Sequence, residues 1–221
     1  MTITGSHTRT AGRLVALGVG VDYHEAWELQ RHLVHRRADG AIPDTLLLLE
    51  HAPVYTAGRR SLPEHVTGEL NAPLVETDRG GQLTYHGPGQ LVGYPIVSLD
   101  ERRIGPKAYV RALEASIVQA LARFDIAAHT EDGLTGVWTE RGKIAAIGVR
   151  ISRGVAMHGF ALNVTTDLSA YEPIIACGIL DRPVTSMGAI MGSPPEVREV
   201  GDAVADALGA LLGTDWNRAS L

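Results

Sequence analysis

The chain has 221 residues, is 45% hydrophobic, carries a formal charge of −5 and holds one cysteine, Cys177. That apolar content supports a packed core and argues against disorder, and the acidic balance gives no global pull toward nucleic acid. One cysteine cannot form an internal disulfide, which favours a reducing compartment, and no run approaches the ~20 apolar residues that span a bilayer. The expectation is a cytoplasmic protein with one domain over residues 1–221 and neither membrane nor nucleic acid as partner.

Leu14 to Val21 follows Arg9 and Arg13, loosely like a leader. Gly18 and Gly20 dilute it and no small-x-small cleavage site follows, so it reads as a first β-strand. Asp22 with Glu25 resembles a capping box that opens a helix ending near Gly40. His32 and His35 stand one turn apart on it without a third ligand, so no metal is expected. Thr45 to Leu49 is a solid apolar run, as in a strand covered on both faces. Ala52 to Asn71 carries Pro53, Gly58, Pro63 and Gly68 and reads as a long surface loop; Pro73 to Glu76 reads as a strand.

The segment RGGQLTYHGPGQLVGYP, Arg79 to Pro95, admits two readings: a tight hairpin, or backbone laid closely against a ligand. Gln90 to Leu99 reads as a strand. Pro106 opens a second helix with Val110, Leu113, Ile117, Leu121 and Phe124 at helical spacing. Gly136 to Thr139 is a further strand, and Lys143 to Ser152 pairs with Val155 to Val164 around Arg153-Gly154. A third helix follows Pro194-Pro195 with Val197, Val200, Val204 and Leu208 on one side. Helices interspersed with hairpins predict an α/β (α+β) domain with a mixed sheet.

Familiar motifs fail. In GVWTERGKI, five residues separate Gly136 from Gly142 where a phosphate loop needs four, and Ile144 replaces the Ser/Thr. In GPGQLVG, Gly93 falls one residue late for a dinucleotide fingerprint, and no glycine-flanked serine elbow occurs. Lys143 stands out because period two puts it on a face with Ala145, Ile147, Val149 and Ile151. Either it sits at the strand's first position and snorkels to water, or it is buried and tunes a nearby thiol. Cys177, before Gly178, is likewise either inert packing or a nucleophile.

Four blocks, RGGQLTYHGPGQLVGYP, GKIAAIGVRIS, MHGFALNV and ACGI, resemble in order and separation the lipoyl(octanoyl) transferases of the lipoate pathway. The likeness runs from about Leu46 to Ser186. It implies one catalytic domain like that of the biotin- and lipoyl-protein ligases, with a largely antiparallel mixed sheet flanked by helices and no cofactor. It implies that octanoate passes from octanoyl-acyl carrier protein to Cys177, then to a lysine of a lipoyl domain. The acceptors implied are lipoyl domains of 2-oxoacid dehydrogenase complexes and the glycine cleavage H protein.

By motif, Cys177 is the nucleophile and Lys143 its proton partner. The implied substrate-binding residues are Arg79, Gly80, Gly81, Gln82, Leu83, Thr84, Tyr85 and His86, then Ala146, Ile147 and Gly148, then Gly159, Phe160 and Ala161. Ala176 stands where the family usually has proline, which leaves the turn less rigidly preset. Glycine-flanked N–H groups near Cys177 and Arg79–His86 are expected to serve the oxyanion, with Ala145, Ala146, Ile147 and Phe160 as walls of an apolar tunnel. Arg59-Arg60 and Arg102-Arg103 are either solvated charges or local attractors for acidic partners. Three alternatives remain: an ATP-dependent lipoate- or biotin-protein ligase, a non-catalytic acyl-binding module, and a cysteine hydrolase using His86 or His158.

Overall fold

The computed structural model describes residues 9–178 and 182–221, apart from the side chain of Cys177. Its elements are β1 (Thr10–Val21), α1 (Tyr23–Ala38), β2 (Thr45–His51), β3 (Val54–Ala57), β4 (Leu74–Glu76), β5 (Thr84–His86) and β6 (Gln90–Ser98). There follow α2 (Leu99–Arg102), α3 (Pro106–Ala122), β7 (His129–Glu131), β8 (Leu134–Thr139), β9 (Gly142–Ser152) and β10 (Val155–Asn163). After two 3₁₀ turns, Leu168–Tyr171 and Ala176–Gly178, come α4 (Met187–Met191), α5 (Val197–Leu212) and β11 (Thr214–Arg218).

The strands form an eight-stranded sheet in the order β11-β1-β2-β6-β10-β9-β8-β7 and a small sheet β4-β3-β5. β1 runs parallel to β11 and β2, and every other neighbour in the large sheet is antiparallel. The mixed, mostly antiparallel sheet agrees with expectation. The capping residue holds too: the Asp22 carboxylate accepts from Glu25 N–H at 3.0 Å. One face of the sheet packs α1 through Ala26, Leu33 and Val34, and the other packs α3 and α5 through Leu113, Ile117, Leu121, Val204 and Leu208.

Three expectations change. Ala52–Asn71 is not merely a surface loop: it contains β3, which pairs with β4 and β5, and Tyr55 and Thr56 are fully buried. Turn residues bracketing that short strand masked it in the sequence. Leu99 starts α2 rather than ending β6, because the Ser98 hydroxyl caps the Glu101 N–H. Arg102 is no docking residue: its guanidinium is nearly buried, bonded to Asp44 at 2.6 Å and to Thr214 at 2.6 Å. Asp44 also binds Arg37 at 2.7 Å, so this cluster neutralises its own charges inside the fold.

Candidate active site

A cavity of about 250 Å³ lies along the β9–β10 pair beside the N-terminus of α1. Arg79, Gly81, Gln82, Thr84 and His86 reach it from the glycine-rich segment. Ala146, Ile147 and Gly148 come from β9, and Gly159, Phe160 and Ala161 from β10. Lys143 and Gly178 complete that side. Cross-strand register explains the grouping, since Ala161 pairs with Ala146, Phe160 with Ile147 and Gly159 with Gly148.

Gly80, Leu83 and Tyr85 fall outside this lining. Strand alternation sends Thr84 and His86 to the cavity, while Leu83 and Tyr85 join Tyr55, Ala170, Tyr171 and Ile174 in a separate apolar cluster. Gly80 lies behind, donating its N–H to the Val149 carbonyl at 2.9 Å. A Cβ on Gly148 would stand 2.6 Å from the Gly80 carbonyl oxygen, so this crossing of backbones requires glycine. The tight-hairpin reading of Arg79–Pro95 does not hold, because β5 pairs with β3 in the small sheet and β6 with β2 and β10 in the large one; part of the segment is cavity wall.

Lys143 is buried, so its strand's apolar face wins over snorkelling. Its Nζ donates to the Thr135 carbonyl at 2.9 Å and stands 5.2 Å from the Trp138 ring centre. Its own main chain is paired twice: Lys143 N–H donates to the Pro183 carbonyl and Thr185 N–H donates to the Lys143 carbonyl, both at 2.9 Å.

Cys177 occupies the turn Ala176–Gly178, and its side chain lies outside the described part of the structure. Its neighbours are informative. Gly178 (φ +65°) lines the main cavity with Lys143, and any Cβ there would collide with the Gln82 amide. Ala176 lines a smaller cleft together with Lys143 and Thr84. The segment is anchored ahead of the cysteine as well, because Ile175 N–H donates to the His65 carbonyl at 2.8 Å and Ile174 bridges Val66. Among candidate oxyanion donors, the N–H groups of Gly178 and Gly80 are already engaged, with Ile175 at 3.2 Å and Val149 at 2.9 Å.

The lining also includes groups that pattern reading did not assign to the site, among them Tyr23, Tyr94, Leu134 and Thr135. Tyr23 opens α1 and Tyr94 lies in an apolar strand, so both look like core in the sequence. His158, weighed only as a hydrolase base, also lines the cavity. It has φ +56°, a conformation costly for a non-glycine residue, and the Gln30 side chain holds its N–H at 2.7 Å.

The cavity's imidazoles, His86 and His158, and His51 packed beside His86 are neutral. Burial pushes His51 down to about 4, a change its bond to the Val21 carbonyl only partly offsets. His86 is driven well below the ordinary range by burial, with His51 and Arg79 adding repulsion. His158 Nε2 lies 2.8 Å from Asp78, which favours the charged ring, yet burial outweighs it and Arg79 and Arg150 oppose the charge, giving about 3. Arg150 itself pairs with Asp78. The His86 tautomer follows from its neighbours. The Gln90 amide nitrogen donates to Asn163 at 2.9 Å and Tyr171 at 2.9 Å, so its oxygen accepts from His86 Nδ1 at 2.7 Å. The lone pair of His86 is then on Nε2, 3.3 Å from the Thr56 hydroxyl, which also accepts from Arg79 at 2.7 Å.

The model of the lipoyl protein ligase A/B catalytic domain matches residues 22–209. This chain belongs to that family. An octanoyltransferase from Chloroflexus aggregans is 48% identical over 201 residues, covering 87% of this chain and 91% of that protein. An octanoyltransferase from Mycobacterium tuberculosis is 50% identical over 195 residues, covering 87% of this chain and 84% of that one.

Among solved structures, a bipartite lipoate protein ligase from Thermoplasma acidophilum, studied with its E2 lipoyl domain, aligns with TM-score 0.72 at 17% identity. It covers 96% of this chain and 88% of its own. A biotin protein ligase from Aquifex aeolicus, in complex with biotin and ATP, gives 0.59 at 14%, with 90% and 70% covered. These structural likenesses show the fold, which is the ligase fold expected from the four sequence blocks. No helix among the described residues is long and apolar enough to cross a membrane.

Proposed function

We propose that this chain is an octanoyltransferase of protein lipoylation that works through a thioester on Cys177. The observation that carries the mechanism is the approach of the Cys177 turn to Lys143: Gly178 and the buried lysine line one cavity, and the segments flanking residue 177 are hydrogen-bonded to His65 and to Lys143 itself.

The thiolate of Cys177 attacks the thioester carbonyl of octanoyl-acyl carrier protein. The tetrahedral oxyanion collapses, the carrier's thiolate leaves and takes a proton, and octanoyl remains on the enzyme. A lysine amine of a lipoyl domain then attacks that thioester, loses a proton and forms the amide, while Cys177 leaves as thiolate. Lys143, near the turn, stabilises each thiolate and passes these protons. The chain sits in the slot between β9, β10 and the Arg79–Gln82 segment; burying about six methylenes at ~0.8 kcal/mol each is worth roughly 5 kcal/mol. The donor is already activated, so no ATP enters. The acceptors are lipoyl domains of 2-oxoacid dehydrogenase complexes and the glycine cleavage H protein, met in the cytoplasm.

Intact mass spectrometry after mixing with octanoyl-acyl carrier protein tests this. One added octanoyl group is expected on the wild type and none on Cys177→Ala; equal labelling of both would refute the thioester. A ligase reading is the less favoured, because the octanoyltransferases are 48–50% identical to this chain and the ligase structures only 14–17%. It would require activity that depends on ATP and survives Cys177→Ser.

A further inference from the structure

Lys143 is held by a strand that is itself bent. β8 breaks register against β9 between Val137 and Trp138, and Gly136 adopts φ +131°. A Cβ at Gly136 would stand 2.5 Å from Lys143 Cε and 2.6 Å from the Ala145 carbonyl oxygen, so the lysine stem lies in the space that the glycine leaves open. The carbonyl just before this glycine, that of Thr135, is the acceptor of the lysine's Nζ. The bend therefore aims the amine.

Glu114 holds the bend from the other side. This residue lies mid-way along α3 and is 9% exposed, an unusual place for a carboxylate. Its Oε1 accepts the Gly136 N–H at 2.9 Å. A buried carboxylate bound to a backbone N–H is a charge-assisted hydrogen bond, among the stronger kinds available to the fold. Gly136 N–H sits at a register break, and Glu114 supplies it with a strong acceptor from α3. We infer that Glu114 is a positioning residue for the acyl transfer: it fixes the Thr135–Gly136 peptide so that the Thr135 carbonyl holds the Lys143 amine toward the Cys177 turn. This rests on the thiol–amine pairing proposed above. It requires the side-chain oxygen of Glu114, not merely its bulk.

The test compares Glu114→Met, which keeps the volume but has no acceptor oxygen, with Glu114→Gln, which keeps one. Thermal melting establishes that each is folded, and Glu114→Ala replaces the methionine variant if that one does not fold. Loss of the acceptor is expected to lower kcat about 10²-fold with KM little changed, the size of a 1 Å misplacement. It should also move the pH midpoint of iodoacetamide labelling of Cys177 upward by about one unit, because a misaimed amine no longer favours the thiolate. Glu114→Gln should recover most of the rate and the wild-type midpoint.

Wild-type kcat and midpoint in Glu114→Met, or equal damage in Glu114→Gln, overturns the inference. Lys143→Met, run alongside, separates the two ideas. A shifted midpoint there with no shift in Glu114→Met sinks only the role of Glu114. No shift in Lys143→Met sinks the thiol–amine pairing, and the role of Glu114 with it.

Discussion

The two faces of the large sheet are built on opposite terms. Against α3 and α5 the fill is aliphatic and closed: Ile117, Leu121, Val204 and Leu208 have no exposed surface. Against α1 the apolar packing through Ala26, Leu33 and Val34 gives way, around Tyr23, to imidazole, phenol and amide groups. Tyr23 stacks on His86 with ring centres 6.1 Å apart, and Trp27 lies at the same 6.1 Å from His158. On this face the buried Trp27 Nε1, Gln30 Nε2 and His158 Nδ1 have no hydrogen-bond partner in the described structure. Each such group costs about 1–3 kcal/mol. One face stabilises the fold, and the other spends stability to hold a polar wall rigid around the slot.

The largest effect that would break this division is on the chemistry. Lys143→Met should lower kcat by about 10²–10⁴, the usual worth of a proton-transfer group, while the melting temperature barely moves. A matching fall in stability would mean that the lysine is structural. Leu121→Ala, in the aliphatic fill against α3, should do the reverse. It should cost about 2–5 kcal/mol in a urea titration, with unchanged kcat per folded molecule.

Gly148→Ala would sharpen the picture at the crossing of backbones. A Cβ there would lie 2.6 Å from the Gly80 carbonyl oxygen, so a strain of about 1–3 kcal/mol is expected, together with a raised KM for the octanoyl donor. An unaltered KM would show that the Arg79–Gln82 segment is not part of the slot.

A pH titration of stability probes the polar face as a whole. His51 is neutral in the fold, lowered from 6.5 to about 4. The unfolded chain therefore binds a proton that the native one refuses, and the His51 share of stability should fall by about 1.4 kcal/mol per unit as pH drops from 6.5 toward 4. His51→Gln should remove that share and leave those of His86 and His158, which are lowered too; an unchanged slope would mean that His51 is not held neutral by the fold. The smallest effect belongs to the rim, where Arg59 and Arg60 are exposed and Arg60 borders the cavity. Reversing both charges should weaken carrier-protein binding a few-fold at low salt, within the ~1 kcal/mol that surface charges command.

Much of this was readable in the chain. Solid apolar β2, the Asp22 cap and the β9–β10 hairpin follow from local rules, while the period-two pattern from Lys143 left burial and snorkelling both open until the fold decided for burial. Local rules also mislead where a strand is only three or four residues long. β3 and β5 owe their existence to partners across the small sheet, so no local pattern announces them. The alternation that removes Leu83 and Tyr85 from the cavity is legible only once β5 is known. Tyr23 and Tyr94 escaped because an aromatic residue on an apolar face has the same appearance whether it fills a core or walls a pocket.

The chain beyond the Cys177 turn returns to ride on the backbone of Lys143, with Pro183 and Thr185 clasped to that one residue. A designer who wished to transplant this chemistry could not move the cysteine loop by itself. The lysine strand is its hinge post, so the two must travel together as one cassette, and random insertion just ahead of Pro183 would be a sensible place to ask how much slack the cassette tolerates.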